Sequence, residues 1–148
     1  LNDQAVFTYF NEIGIISQLS AALFEQGLPE GLTLSQFSVL NWFARVDVEA
    51  TPGRLARAFQ VTGGAMTNTL KKLESKGLVK VEPDKNSGRR KRVTMTNKGN
   101  QVRDKAIKSV APLLREFAEC FSIEKLKRQT GQLAEVREYL DERRYKQS

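Results

Sequence analysis

The spacing of apolar residues is helical along most of this 148-residue chain and changes to strict alternation over one short stretch. Apolar and polar side chains alternate over residues 79–82 and again over residues 92–95. Residues 83–88, between them, read Pro-Asp-Lys-Asn-Ser-Gly, which is a turn composition. We therefore predict a β-hairpin at residues 78–96 within a protein that is mainly α-helical.

Helix start and stop signals divide the remainder into six predicted helices. The first covers residues 3–26, and residues 27–31 break it. Threonine N-caps are expected for the next three helices: Thr33 with Gln36 as a capping box, Thr51 before Pro52, and Thr62. The fourth helix runs to about Lys76, where Gly77 suits a left-handed C-terminal position.

Two longer helices are predicted at the C-terminal end of the chain. One covers residues 97–121, with a kink expected at Pro112, and the other begins after Ser122 and ends in a polar tail at residues 141–148. The first, fifth and sixth helices carry apolar stripes as long as a compact domain is wide. These stripes favour a two-fold dimer, and packing as an internal bundle is the alternative.

Positive charge is concentrated in one part of the chain. The formal net charge is +7, and residues 71–108 contain thirteen Lys/Arg against four Asp/Glu. A local excess of this kind is typical of a polyanion binder, because neutralised phosphates release condensed counterions. A solvated basic face is the alternative that charge alone leaves open.

Residue counts remove several classes of chemistry. The chain has no histidine and one cysteine, so it can form neither imidazole-based catalytic sites nor an internal disulfide. We expect no enzymatic activity, no cofactor and no metal, and we expect Cys120 to be a small buried hydrophobe in the fifth helix. Without a membrane span or a secretory signal, a cytoplasmic location is the expectation, with some residues missing before Leu1.

The order of a helix, a short helix, a tight turn, a helix and a basic hairpin is that of a winged helix-turn-helix. The outward face of the fourth helix would meet DNA, with Asn68 as the best candidate for a base contact and Thr67, Lys71 and Lys72 as phosphate contacts. The other predicted DNA-binding residues of this helix are Thr62, Gly63, Gly64 and Ser75. The alternative is that these are ordinary surface residues of a core helix.

The hairpin adds Arg89, Arg90 and Lys91 to the predicted DNA-binding residues. Alternation along a strand would let about half of the basic run of residues 89–92 face one duplex. Arg89, nearest the tip, would reach the minor groove, where the negative potential is enhanced. A charged edge that discourages strand aggregation is the alternative.

Three segments carry a resemblance to the MarR family of bacterial transcription regulators. They are residues 51–56 (TPGRLA), 64–79 (GAMTNTLKKLESKGLV) and 88–99 (GRRKRVTMTNKG). The resemblance implies a homodimer, a pseudo-palindromic double-stranded DNA operator and, often, a small aromatic or phenolic effector. One departure is Ser87, where wings of this family usually carry an acid, so a salt bridge that pins the wing arginine is in doubt.

These patterns predict three regions: an N-terminal dimerisation helix (1–32), a winged helix-turn-helix domain (33–98) and C-terminal dimerisation helices (99–148). We predict a dimeric, sequence-specific transcriptional regulator, a repressor released by a small aromatic ligand. The alternative is a winged-helix module for other nucleic-acid or protein contacts. Phe10, Ile13, Trp42 and Phe43 are the candidates for an apolar effector pocket.

Overall fold

The computed structural model describes residues 2–146 and contains the predicted helical chain with a small antiparallel sheet. The helices are α1 (Asp3–Gly27), α2 (Leu34–Arg45), α3 (Pro52–Ala58), α4 (Gly63–Ser75), α5 (Asn97–Cys120) and α6 (Ile123–Lys146), with a 3₁₀ turn at Pro29–Gly31. The strands are β1 (Glu49–Ala50), β2 (Val79–Asp84) and β3 (Ser87–Met95), in the order β1-β3-β2. The predicted fold class, mainly α with a hairpin wing, is confirmed.

The three predicted threonine caps are all present. The Thr33 hydroxyl accepts from the backbone N–H of Gln36, and the side-chain oxygen of Gln36 accepts from the backbone N–H of Thr33. Together these two bonds form the capping box. Thr51 and Thr62 each accept from the backbone N–H three residues later. These bonds satisfy orphan helix donors and fix where α2, α3 and α4 begin.

The core lies among α2, α3, α4, the first half of α5 and the sheet. Its most deeply buried side chains are Leu32, Val39, Leu40, Leu55, Leu73, Leu78 and Val93. Val93 pairs with Val81 on β2 and with Ala50 on β1, so it lies at the centre of the sheet. Strand β1 was not predicted, because two residues carry no periodicity and its position depends on pairing with β3.

The chain divides into two compact units, residues 1–110 and residues 111–148. Helix α5 continues past Pro112 to Cys120, and α6 continues to Lys146. The prediction of a polar tail from residue 141 was therefore wrong for residues 141–146, and residues 147 and 148 of that tail lie outside the described part. Within residues 2–146, no helix is both long and apolar enough to cross a membrane.

Long apolar helix faces remain exposed in the single chain. No residue of α1 is buried, although the helix has 25 residues. The exposed apolar residues of α1 are Val6, Phe7, Tyr9, Phe10, Ile15, Ile16, Leu19 and Leu23. Cys120 is also exposed, which corrects the expectation of a buried thiol: it is the last residue of α5, beyond the buried positions Val102, Ala106 and Val110.

Candidate nucleic-acid interface

Helix α4 separates an apolar face from a polar one. Met66, Leu70 and Leu73 are buried, as their spacing predicted. The predicted contact residues on and beside the other face are all exposed: Thr62, Gly63, Gly64, Thr67, Asn68, Lys71, Lys72 and Ser75. The structure therefore holds α4 by one side and leaves the candidate reading face to solvent.

The C-terminal end of α4 has the geometry that Gly77 predicted. Gly77 has φ +73°, its N–H donates to the Glu74 carbonyl at 2.9 Å, and the Leu78 N–H donates to the Leu73 carbonyl at 3.0 Å. This left-handed stop turns the chain directly into β2. The Glu74 carboxylate accepts from the Val81 N–H at 3.0 Å, so the helix and the wing are joined by a side-chain hydrogen bond.

The wing departs from regular alternation where its basic residues begin. Lys91 pairs with Pro83, but the next pair is Ser87 with Asp84, so Gly88, Arg89 and Arg90 have no partners opposite. Proline has no N–H to donate to a ladder, which explains why pairing breaks at Pro83. The regular ladder therefore resumes only at Lys91, and the expectation that about half of the basic run faces one duplex stays a prediction.

Arg89, Arg90 and Lys91 all line one groove, of about 550 Å³, between α3, α4 and the wing. From α4 the same groove takes Thr67 and Lys71. The structure thus brings together predicted contact residues from the helix and from the hairpin. Asn68, Lys72 and Ser75 are exposed on α4 outside this groove.

Arg57 of α3 also lines the groove, and sequence reasoning missed it. The two residues before it in this short helix, Leu55 and Ala56, are buried. Arg57 is exposed and has no ion pair within the described chain. The signal that the sequence offers is a basic residue directly after the apolar pair Leu55 and Ala56.

The basic residues of this surface differ in whether acids neutralise them. Within residues 2–146, no ion pair forms at any of the five predicted cations: Lys71, Lys72, Arg89, Arg90 and Lys91. These exposed charges are available to a polyanion, although Glu74 lines the same groove as Lys71 and Arg89–Lys91. The nearby acid Asp84 instead accepts from the Asn86 N–H at 3.1 Å.

Arg92, the fourth residue of the basic run, is held at the base of the wing. Its guanidinium lies 3.2 Å from Glu49 on β1 and 3.5 Å from Glu82 on β2, and Lys80 lies 2.7 Å from Glu82. We call Glu49, Lys80, Glu82 and Arg92 the Arg92 cluster. The hydrogen bond and charge of Lys80, and then those of Arg92, lower the pKa of Glu82.

Two of the four predicted effector-pocket residues lie together. The Trp42 and Phe43 rings meet edge-on, with their centres 5.3 Å apart, and Phe43 is part of the core. The Arg54 guanidinium lies over the Trp42 ring at 5.0 Å and donates to Asp47 at 2.6 Å, and this hydrogen bond is the largest cause that lowers the pKa of Asp47. Phe10 is exposed and packs against its neighbour Tyr9, and Ile13 is half-buried on α1.

The fold and the surface geometry define a winged helix-turn-helix protein with a basic groove between helix and wing. Residues 30–90 match the model of the MarR family. This match and the winged-helix fold support assignment of the chain to the MarR family, whose members are DNA-binding transcriptional regulators. No curated protein sequence matches it significantly.

Solved structures share the fold over nearly the whole chain. A cysteine-to-serine mutant of MarR from E. coli, complexed with operator DNA, is 25% identical with a TM-score of 0.80, covering 92% of this chain and 97% of that one. The transcriptional regulator BldR from Sulfolobus solfataricus is 26% identical with a TM-score of 0.75, over 92% and 99%. MepR from S. aureus, in a DNA complex, is 24% identical with a TM-score of 0.78, over 89% and 97%.

Proposed function

We propose that the protein is a homodimeric, sequence-specific regulator that binds a pseudo-palindromic operator. In each subunit α4 enters the major groove and the wing contacts the flanking backbone and minor groove. The observation that carries this proposal is the groove shared by Lys71 of α4 and Arg89–Lys91 of the wing, four cations that form no ion pair within the described chain. The similarity to the E. coli MarR structure with operator DNA supports the same arrangement.

The chemistry of α4 favours a half-site centred on A·T pairs. Residues 63–70 contain no charged side chain, so this part of the helix has neither the Arg or Lys that usually reads guanine nor an acid to read cytosine. The amide of Asn68 suits adenine, and the small side chain of Ala65 suits a thymine methyl group. Lys71 and Lys72 follow one turn later and contact phosphate.

A two-fold dimer accounts for the exposed apolar faces of the terminal helices. In the single chain neither α1 nor α6 has a buried residue within the described range. Helices of this length gain most of their stability from burying an apolar face, which a second copy supplies. The dimer also places two copies of α4 about one DNA turn apart, so they read a symmetric site.

Repression that a small aromatic ligand relieves completes the proposal. The candidate ligand residues are Trp42 and Phe43 on α2 with Phe10 and Ile13 on α1. Trp42 is the only tryptophan of the chain, so its fluorescence reports directly on this region. Titration with aromatic carboxylic acids and phenols tests the idea: saturable quenching with loss of operator binding supports it, and unchanged fluorescence and binding contradict it.

Selection of duplexes from random DNA tests the function itself. We expect enrichment of a symmetric, A·T-centred site, and Asn68→Ala should relax the preference at one symmetric pair of positions, at a cost of about 1–3 kcal/mol. Enrichment of no symmetric motif would instead favour an architectural or RNA-binding module. Uniform weakening by Asn68→Ala across all sequences would reassign this residue to the DNA backbone.

A further inference from the structure

The end of α4 is tied to the turn between α1 and α2 by one lysine. The Lys76 ammonium donates to the carbonyl oxygens of Glu30 at 2.9 Å and Gly31 at 3.2 Å, and it lies 3.5 Å from the side-chain oxygen of Gln36. Lys76 is the C-cap of α4, and its backbone partners are 46 and 45 residues away in sequence. These are charge-assisted contacts between distant parts of the chain.

Gln36 makes this contact specific. It is the one polar side chain that is buried within residues 2–146, with 4% of its surface exposed. The same amide oxygen accepts from the Thr33 N–H in the capping box and from Lys76. Because a buried acceptor that loses a partner is costly, this amide disfavours movement of the ammonium.

The turn itself is held in an unfavourable backbone conformation. Glu30 has φ +59° and Gly31 has φ +64°. A residue with a side chain enters this left-handed region at a cost and stays there only when its surroundings hold it. Here both carbonyl groups bind the same ammonium, so Lys76 supplies part of that restraint.

The contact extends to the helices on either side. The Lys98 ammonium, from the first turn of α5, donates to the Lys76 carbonyl at 3.0 Å. The Glu25 carboxylate of α1 accepts from the N–H of Leu34, the first residue of α2, at 3.1 Å. We call Glu25, Glu30, Gly31, Gln36, Lys76 and Lys98 the Lys76 junction, and it connects α1, α2, α4 and α5 through side chains.

We propose that Lys76 is a positioning residue that fixes the orientation of α4 relative to α1 and α5 and thereby sets the half-site spacing that the dimer accepts. The inference rests on the proposed function, because it takes α4 as the reading helix and α1 and α5 as dimer helices. A pivot of α4 about its C-terminal end would move both symmetric copies at once. The dimer would then lose its preference for one spacing without losing a DNA contact.

The competing role for Lys76 is a direct phosphate contact, since it belongs to the basic segment. The geometry disfavours that role. Its ammonium is turned towards the Glu30 and Gly31 carbonyls, and Lys76 is not among the residues that line the groove between α4 and the wing. A phosphate contact and a positioning role also predict different salt and spacing dependences.

The test compares Lys76→Met, Lys76→Arg and the control Lys105→Met with the wild-type full chain. Methionine keeps the unbranched stem and removes the ammonium, arginine keeps the charge and donors, and exposed Lys105 on α5 gives the same charge change away from the junction. Each protein is titrated with the selected operator, with operators whose half-site spacing is changed by one base pair, and with random duplex. The salt dependence of each affinity is recorded.

We expect Lys76→Met to bind the operator about tenfold more weakly, the size of effect that a lost hydrogen bond to a charged group produces. The ratio between its affinities for the correct and the altered half-site spacing should fall, while its affinity for random duplex and its salt slope stay unchanged. Lys76→Arg should restore the wild-type ratio. Equal weakening on all duplexes with a flatter salt slope would make Lys76 a phosphate contact. Unchanged spacing discrimination would overturn the proposal as well.

Two further observations keep the outcome interpretable. If the wild-type protein shows no preference for the operator, the proposed function is wrong. If the wild type prefers the operator and Lys76→Met behaves like wild type, only the proposal for Lys76 is wrong. If Lys76→Met does not fold, amide exchange of wild type decides. Operator should then slow exchange at Leu32 and Leu34, whose N–H groups donate within the turn and to Glu25, and equal exchange with and without operator would overturn the proposal.

Discussion

Glycine at position 64 is a residue that the fold of the chain does not require. A Cβ built there meets no atom within 4 Å, and its φ is not positive. Glycine within a helix costs about 0.5–1 kcal/mol relative to alanine. In the proposed complex the missing Cβ would let the first turn of α4 come close to a DNA backbone.

Gly64→Ala should therefore stabilise the protein and weaken operator binding. The free energy of unfolding rises by up to about 1 kcal/mol, since alanine favours the helix. Operator affinity falls because the methyl group keeps DNA from the helix N-terminus. Chemical denaturation and operator titration measure the two effects, with Gly131→Ala, also open within a helix, as the control that changes only stability. Operator affinity equal to wild type would show that close approach is not the reason for this glycine.

Arg89 allows a second test at the residue scale. Arg89→Ala should weaken operator binding and flatten the dependence of log affinity on log salt by up to about one unit, since one fewer cation meets phosphate. Arg128→Ala removes the same charge from the exposed surface of α6 and should leave both quantities unchanged. Wild-type affinity and slope in Arg89→Ala would remove the wing tip from the mechanism.

At the scale of elements, the wing has a basic tip without regular strand pairing and a base that is held by ion pairs. The ladder is interrupted over residues 88–90, where the free cations begin. Immediately after them, the Arg92 cluster ties β3 to both β1 and β2. These contacts hold the base of the wing in register.

Arg92→Met should accordingly loosen the wing in the absence of DNA. Loss of the contacts to Glu49 and Glu82 should speed amide exchange along β3, where Arg92 now connects three strands. Arg90→Met is the matched control, because Arg90 has no ion pair within the described chain. Equal exchange in the two variants would mean that backbone pairing alone holds the wing.

Acid should release the same cluster. The folded state lowers the pKa of Glu82, so its contribution is complete above the ordinary value of 4.5 and is lost as the pH falls through the lowered value. After correction for intrinsic rates, wing exchange should be flat above pH 4.5 and should rise as the pH falls through the lowered pKa of Glu82. Glu82→Gln should remove that acid rise, and a rise that persists in this variant would assign it to other groups.

Much of this architecture was predictable, because its signals are local. The threonine caps, Gly77 and the hairpin each depend on a few neighbouring residues, and the structure confirms them. Strand β1 depends on pairing with β3, and the ion pair between Arg92 and Glu49 joins residues that lie 43 positions apart in sequence. No sequence period encodes such partners, so reasoning from the sequence alone missed them.

At the scale of the whole molecule, exposed apolar residues are concentrated on α1, α5 and α6. Leu19 lies in the middle of α1 with 64% of its surface exposed, on a helix without any buried residue. Apolar faces of this extent on several helices exceed what a lone soluble chain ordinarily presents. A second copy that covers them would make stability depend on protein concentration.

Leu19→Glu should convert the proposed dimer to a monomer. A carboxylate in an apolar helix interface is unpaired and desolvated, a cost that association cannot easily offset. Gln18→Glu adds the same charge at the neighbouring exposed position and removes no apolar surface, so it should remain dimeric. Sedimentation equilibrium gives the mass of each variant. In operator titrations, monomeric Leu19→Glu should bind a single half-site weakly and should show no preference for symmetric DNA. A wild type that sediments as a monomer, or a Leu19→Glu variant that stays dimeric, would place the interface elsewhere than on α1.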